Sequence, residues 1–596
     1  MAIFAQFLAG VDGKRMNTIN KFKLNKVFVP KFYELIKSKQ YSKALFVKDL
    51  TAGVIVGVIA IPLAIAFGIA SGVSPQQGLI TAIIGGLVIS LFGGSHVQIG
   101  GPTGAFIVIV AGIVAQFGLT GLIIATAIAG VLLVLMGLLR LGDAIKFMPY
   151  PIIVGFTSGI ALVIFSTQIK DFFGLKALDG SALSVPSDFI EKWICYAKHL
   201  GKIDPWATGI AVFTVVLIFL WKKVSKVIPG SLVAIVVSTL LVVVLKKYGV
   251  EIDTIGNVYP ELSGGAPLPK PSTPPITLQS IRLLLGPAFT IAMLGAIESL
   301  LSAMVADGVT GKKHHSNTEL IAQGLANITS SFFGGIPATG AIARTMANIN
   351  NGGRTPVAGI VHAVFLLLVY LFLMPLAANI PFACLAGILV VVAYNMSEWR
   401  TFVSLVKQSA ATRAILLTTF SLTVIFDLTV AIAVGLVLAI FAFLKRVNES
   451  TEISHSTGHL DLSDESEIQS TVKDDEYLQL PESVEVYEIS GPFFFGVANK
   501  FDEKMRLSRI HHDIRIIRMR KVPFIDSTGL NNLEMLCRNS IKEKIQVILS
   551  GVNSEVREKI ERSEIPHLIG EENICSNIHL AIERAKEIEA STKLKI

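Results

Sequence analysis

The chain has 596 residues, 52% of them hydrophobic and only 16% charged, well below the roughly 25% charged residues of an average soluble domain. No Asp, Glu, Lys or Arg occurs between Asp49 and Arg140 or from Thr355 to Ser397, so these stretches lie in lipid and a wholly soluble protein is excluded. The formal net charge of +8 does not call for nucleic acid. Ten basic residues fall in the first 48 positions, where the positive-inside rule and anionic lipid account for them.

In chain order, residues 1-46 read as a basic cytoplasmic N-terminal region, and the opening run Met1 to Leu8 is too short for a cleavable signal peptide. A span needs about 20 mainly apolar residues, which predicts spans near 50–71, 76–93, 119–140, 150–169, 206–221 and 227–245. A second set falls near 284–306, 318–334, 355–375, 379–396, 412–427 and 429–444. Two further apolar stretches, about 103–116 and 339–351, are too short or too polar to cross alone and read as half-helices, giving fourteen segments within 47-446. With the N-terminus inside, the cytoplasmic connections carry Arg140, Lys146, Lys222, Lys223, Lys226, Lys312 and Lys313, while the outer connection Ala377 to Pro381 is uncharged. The larger external loops are 170–205 and 246–283, the second carrying the proline-rich run Pro267 to Pro275.

The third segment of each half opens on a similar turn: Gly100-Gly101-Pro102-Thr103-Gly104-Ala105 in the first, Gly335-Ile336-Pro337-Ala338-Thr339-Gly340-Ala341 in the second. Seven segments per half make the second half enter the membrane from the opposite side, the inverted-repeat plan of secondary transporters with broken helices. Close helix packing is the simpler use of the same glycines. Past Arg446 the composition shifts. Residues 447-479, rich in Ser, Thr, Asp and Glu, read as a solvated linker, and 480-596 as a small cytoplasmic α/β module. Within it, strand-like Val484 to Ile489, Asp513 to Met519 and Ile545 to Leu549 alternate with helical stretches near 527–540, 553–562 and 575–590.

Irregular backbone at membrane depth is tolerated only where protein or a wet cavity satisfies it, so the two breaks point to a central cavity. Pro102 and Pro337 suit a first helical turn, where the missing N–H is not needed. The N–H groups at Thr103, Gly104, Ala105 and Phe106, and at Ala341 to Ala343, then carry about half a positive charge per helix end. Two such ends aimed at one point make an anion site. Burying the charge of Arg344, one turn further on, costs at least ~2.5 to 3.5 kcal/mol unless it is compensated. A bound anion compensates it, and so does an ion pair with Glu298. Glu298 is the sole charge in Ile291 to Met304. It can take up a proton, ligate sodium together with Ser302 or Ser299, or serve as a structural partner of Arg344. A cation bound beside an anion lowers the net charge moved through low dielectric, the logic of symport. His96 and His362 read as packing histidines or proton relays, Asp307 and Asp427 as helix-end residues.

No nucleophile, base and orienter are grouped, and no P-loop or metal-ligand spacing occurs, so an enzyme is not expected. Cys195, Cys384, Cys537 and Cys575 suggest neither a zinc site nor a disulfide scaffold. No cofactor is implied beyond a coupling Na+ or H+.

These motifs resemble those of SulP-type anion transporters, the sulfate permease family, from about Ala44 to the end. The resemblance rests on Ile61-Pro62-Leu63-Ala64-Ile65-Ala66-Phe67 with Gly72 and Pro75, the Gly100 to Ala105 turn and Ile297-Glu298-Ser299-Leu300-Leu301. It continues through Asn317-Glu319-Leu320 with Gln323-Gly324, Gly335 to Arg344 ending at Gly353, and Ala386-Gly387-Ile388 with Asn395-Met396. The C-terminal module resembles a STAS domain through Asp526-Ser527-Thr528-Gly529-Leu530. What this implies is a polytopic α-helical membrane protein of two intertwined seven-segment inverted repeats, divided into a substrate-holding core and a gate that contacts a partner subunit, with elevator-like alternating access. Phe67, Phe106 and its neighbours, Glu298, Ala343 and Arg344 would line the substrate site. Leu63 and Ala343 stand where many relatives have Gln and Ser, which removes donors to the anion. In free STAS proteins of bacterial signalling a serine at the position of Ser527 can be phosphorylated; capping of the following helix is its other use.

The expectation is therefore a secondary active transporter moving a small inorganic oxyanion, of the sulfate or bicarbonate class, across the inner membrane with both termini cytoplasmic, coupled to H+ or Na+. A C4-dicarboxylate symporter is one alternative, because the Glu298 to Asp307 and Gly335 to Arg354 stretches also look like those of dicarboxylate-carrying members. An anion channel or uncoupled exchanger is another. Expected partners are the anion, membrane lipid, a second copy as homodimer and a cytoplasmic protein at the STAS domain, with no nucleic acid.

Overall fold

The computed structural model describes residues 28–38, 41–145, 148–177, 181, 183–186, 188–225, 228–260, 277–426, 428–461, 477–495 and 512–593. Most of the basic N-terminal region, Lys146, Lys226, Pro267 to Pro275, Asp427 and the middle of the expected linker lie outside them. Contacts divide the chain into two compact units, Met1–Leu436 and Val437–Ile596.

The membrane unit opens with α1 (Lys31–Ser38) and α2 (Lys43–Ala70), the latter capped by the Ser42 hydroxyl, which accepts from Leu45 N. Next come α3 (Pro75–Phe92), strand β1 (Gly100–Gly101), α4 (Gly104–Leu138), α5 (Tyr150–Phe173), α6 (Pro205–Val224) and α7 (Gly230–Lys247). The second half runs α8 (Leu278–Thr310), α9 (Ser316–Phe332), β2 (Thr339–Gly340), α10 (Ile342–Asn350), α11 (Val357–Ala377), α12 (Phe382–Met396), α13 (Ala410–Ile425) and α14 (Leu428–Ser450). Among the described residues nine helices are long and apolar enough to cross a membrane unaided. The half-helix α10 is not one of them. Its nine residues rise only about 13 Å at 1.5 Å each, less than half the hydrocarbon depth. The first half-helix is the opening of α4: the chain turns at Gly118, where φ is 68° and ψ −174°, before the fourth segment follows. A side chain at that φ would be strained.

Two helix groups form. In one, α4 packs on α8 and α9, α2 on α11, and α3 on α9 and α11; in the other, α5 packs on α12 and α13, and α6 on α7 and α12. The first group holds both half-helices and is the core; the second is the gate. Backbone meets backbone where α4 crosses α9. A Cβ on Gly130 would stand 2.6 Å from Gly324 O, and one on Gly324 would stand 2.5 Å from Gly130 O.

The C-terminal unit is a five-stranded sheet of β3 (Glu452–Thr457), β6 (Val484–Ser490), β7 (Ile514–Arg518), β8 (Gln546–Ser550) and β9 (Ile574–Cys575), with a side pair of β4 (His459–Asp461) and β5 (Tyr477–Gln479). β3 is antiparallel to β6 and the other neighbours are parallel. Helices cover both faces, as parallel strands require. Tyr487, Ile517 and Val547 pack with Leu533 and Leu536 of α15 (Ser527–Lys542), while Val486, Ile516 and Ile548 pack with Ile578 and Ile582 of α17 (Ile578–Lys593), α16 being Ser554–Glu561. The stretch expected to be a solvated linker thus supplies an edge strand, β3, and both strands of the β4–β5 pair.

Candidate functional site

The two turns meet as a miniature antiparallel sheet. Gly100 pairs with Gly340 and Gly101 with Thr339, and Ala341 N donates to Ile99 O at 2.9 Å. The half-helices then run apart from this crossing, with Thr103 and Ala341 as extended N-cap residues. The two prolines do not occupy first helical turns. The paired strands come first, so Pro102 and Pro337 shape the approach and the helices begin at Gly104 and Ile342.

Polar side chains brace the crossing from behind. The π-helical stretch Thr81–Gly85 in α3 presents the Thr81 hydroxyl, which accepts from Ile336 N at 2.7 Å. Asn327 of α9 donates to Ala338 O at 2.8 Å and accepts from Ala338 N at 2.9 Å. The Thr345 hydroxyl accepts from Ile99 N (3.1 Å) and lies 3.2 Å from that of Ser302, and Gln98 Nε2 donates to Ser299 O at 3.2 Å. Much of the backbone freed at each break is thereby satisfied by protein. The N–H groups of Gly104, Ala105, Ile342, Ala343 and Arg344 have no acceptor among the described residues. They are donors at two helix N-termini.

The charged pair sits at the same point. Glu298, partly exposed, accepts the Thr103 hydroxyl at 2.8 Å. Arg344, 2% exposed, reaches across to the opposite turn and donates to Pro102 O. A Cβ on Gly101, whose φ is +147°, would stand 2.5 Å from Arg344 Nη1, so the guanidinium needs glycine there. The simple ion pair between Arg344 and Glu298 is not formed: each instead holds the turn of the first half-helix. Phe67 and Phe106 are buried. Phe106 packs 3.7 Å from where a Gly295 Cβ would stand, and Phe67 3.5 Å from that of Gly104, beside Met396 and Ile164. Ala105 and Ala341 are buried, whereas Ala343 is exposed. The site residues are thus brought together. Ser302 belongs to the bracing, one turn along α8 from Glu298.

Sequence reasoning missed Thr81, Gln98, Asn327 and Thr345. Their signal is weak, namely neutral polar residues in or beside apolar helices next to a Gly/Pro break. It also missed Asp171, which with Gln168, Ala66 and Phe382 lines a hollow of about 130 Å³ between α2, α5 and α12. His362 is buried in α11 with neither ring nitrogen partnered among the described residues. Asp307 closes the α8–α9 turn, accepting from His314 Nδ1 at 2.7 Å. In the loop before the first half-helix, burial and then the positive charges of Lys312 and Lys31 push His96 down to about 4. At the STAS signature loop, Asp526 rather than Ser527 caps α15, accepting from Gly529 N at 2.7 Å. Ser527 is the first helical residue and is exposed.

Paired half-helices inside an inverted repeat, with core and gate groups and a STAS-like sheet after the last span, define a multi-pass membrane protein of transporter architecture. The chain belongs to the sulfate permease family, whose profile matches residues 46–419, and a STAS domain profile matches residues 477–581. It is 41% identical to the putative sulfate transporter YvdB of Bacillus subtilis over 537 residues, covering 90% of this chain and 97% of that protein. It is 33% identical to the bicarbonate transporter BicA of Picosynechococcus sp. over 534 residues, covering 87% and 90%. The fold matches the structure of murine Solute Carrier 26 family member A9 anion transporter in the inward-facing state, with a TM-score of 0.80 over 95% of this chain and 94% of that one, at 19% identity.

Proposed function

We propose that this protein is a secondary active transporter carrying a small inorganic oxyanion, of the sulfate or bicarbonate class, across the cytoplasmic membrane. The observation that carries the proposal is the crossing itself: unpaired N–H groups of two half-helices and the buried Arg344 guanidinium converge beside Glu298. Helix ends and guanidinium favour a negative guest. Thr103, Gly104, Ala105, Phe106, Ala341, Ala343, Arg344 and Phe67 surround it in this proposal. Glu298 accepts the coupling H+ or Na+, so that the site moves less net charge. The core carries the anion past the gate in an elevator-like step, and a second copy contacts the gate. The names of the two relatives, a sulfate and a bicarbonate transporter, support the oxyanion class.

The test is uptake of labelled sulfate, bicarbonate and succinate into proteoliposomes, with and without imposed pH and sodium gradients. Gradient-driven accumulation of sulfate or bicarbonate that Glu298→Gln uncouples is the expected result. Accumulation of succinate instead would make the protein a C4-dicarboxylate symporter. Fluxes far above carrier turnover and indifferent to Glu298→Gln would make it a channel or uncoupled exchanger.

A further inference from the structure

At the opposite end of α10 from Arg344 lies a cavity of about 400 Å³. Val97, Val309 and Ile349 form its apolar lining, and Thr310, Lys312, Asn350 and Arg354 its polar one. Six residues of helix separate Arg344 from Asn350, about 9 Å, so this hollow is separate from the crossing. No carboxylate lines it.

The acids nearby are committed elsewhere. Asp49, wholly buried, accepts from Arg354 N, Thr355 N, the Thr355 hydroxyl and the Tyr41 hydroxyl. Glu34 pairs with Lys31 at 2.7 Å and lies 3.5 Å from His315, and Asp307 pairs with His314. Neither the Lys312 ammonium nor the Arg354 guanidinium has a carboxylate partner among the described residues. Arg354 is also pre-set: Nη1 donates to Ile349 O and Gly353 O, each at 2.8 Å, holding the fork at the C-terminus of α10. Its Nε and Nη2 have no acceptor among the described residues. A held fork with spare donors in one cavity with an exposed ammonium matches the oxygens of a tetrahedral dianion. A tetrahedral oxyanion occupies only a few times the ~30 Å³ share of one water, so the cavity has room for a phosphate group with its substituent or its hydration.

We propose that this cavity is a second anion site, on the cytoplasmic face of the core, built for a phosphate group. Two sources supply that chemistry, soluble phosphate and the headgroup of an anionic phospholipid.

Purified full-length protein in phosphatidylcholine nanodiscs is titrated calorimetrically with inorganic phosphate. Lys312 is exposed and its ammonium makes no bond, so Lys312→Glu leaves the fold intact; a thermal melt of each variant confirms this. Lys312→Glu is expected to weaken phosphate binding at least about tenfold, and Arg354→Gln to do the same. Arg344→Ala, which disables the crossing, is expected to leave phosphate affinity within about twofold, because the two sites do not share a cation. Phosphate affinity unchanged by Lys312→Glu overturns the proposal. So does absence of phosphate binding to the unmodified protein, or its loss in folded Arg344→Ala, which would place the phosphate at the crossing. Nanodiscs containing phosphatidylglycerol separate the sources. Weaker phosphate binding there, with the weakening absent in Lys312→Glu, supports the site with a lipid headgroup as occupant, and unchanged binding supports it with soluble phosphate.

Discussion

Arg344→Gln is the most direct test of the crossing. The side chain is 2% exposed and spends one donor on Pro102 O of the opposite turn. Glutamine keeps a polar amide but removes the charge and the fork. At an effective dielectric of about 20, a unit charge 4 Å from an anion is worth about 4 kcal/mol. That is an upper bound here, because the helix ends still supply roughly half a charge each. The charge-assisted hydrogen bond alone is worth about 1.5 to 3 kcal/mol, so anion affinity should fall roughly ten- to hundredfold. Arg344→Lys, which keeps the charge without the bidentate geometry, should fall between. The assay is calorimetric binding of sulfate and bicarbonate to purified protein, with uptake into proteoliposomes and a thermal melt from the same preparations. A folded Arg344→Gln protein that binds and transports at unmodified levels would refute the electrostatic account of the site.

Thr103→Val removes the 2.8 Å donor to Glu298 and leaves a carboxylate oxygen short of a partner, at about 1 to 3 kcal/mol. Uptake should slow about tenfold, and combining it with Glu298→Gln should give far less than the summed loss; additive losses would show that the two do not act together. Ala343→Ser returns a hydroxyl to the exposed N-terminus of α10, and anion affinity measured by calorimetry should rise a fewfold, as one added neutral hydrogen bond predicts. For His96, folding lowers the imidazole from the usual 6.5 to about 4, so the unfolded chain binds the extra proton in that window. Stability should therefore fall as pH drops from 6.5 toward 4, and His96→Asn should flatten the melting temperature against pH. In the STAS domain, Glu485 is buried and meets Arg515 at 2.7 Å. Glu485→Ala leaves that charge unmatched and should cost about 3 to 5 kcal/mol, seen as faster amide exchange in β6 and β7 of the full-length protein.

What the sequence made legible follows from where physics leaves few options. Glu298 and Arg344 stand alone in apolar stretches, and a lone charge at membrane depth needs a reason. The two Gly/Pro turns interrupt runs that otherwise read as spans, so the half-helices and the inverted repeat were visible. The bracing was not. Thr81, Gln98, Asn327 and Thr345 are neutral and unpatterned, and only their partners give them meaning. Pro102 and Pro337 were misplaced by one rule competing with another. A proline suits a first turn, but here the residues beside it pair as strands before any helix begins. At the STAS loop, Asp526 and Ser527 are adjacent and equally suited to capping; the extended backbone of Asp526 (φ −93°, ψ 177°) decides between them. The edge strand β3 resembled linker because edge strands carry polar, charged outward faces, as Glu452 and Ser454 do.

The crossing also leaves few side chains free to bond an anion at the proposed site. A broken helix in lipid must find partners for its freed backbone groups. Here most are taken by the opposite turn or by the bracing hydroxyls and amides, whose own hydrogen-bonding needs are met at the same time. The donors left over are main-chain N–H groups and one guanidinium, which recognise charge and size rather than the chemistry of a substituent. In the proposed site, discrimination between oxyanions of similar size would then rest on the few exposed side chains at these helix ends, Ala343 among them. Substituting such a position would change the donors offered to the anion without disturbing the pairing of Gly100 and Gly101 with Gly340 and Thr339.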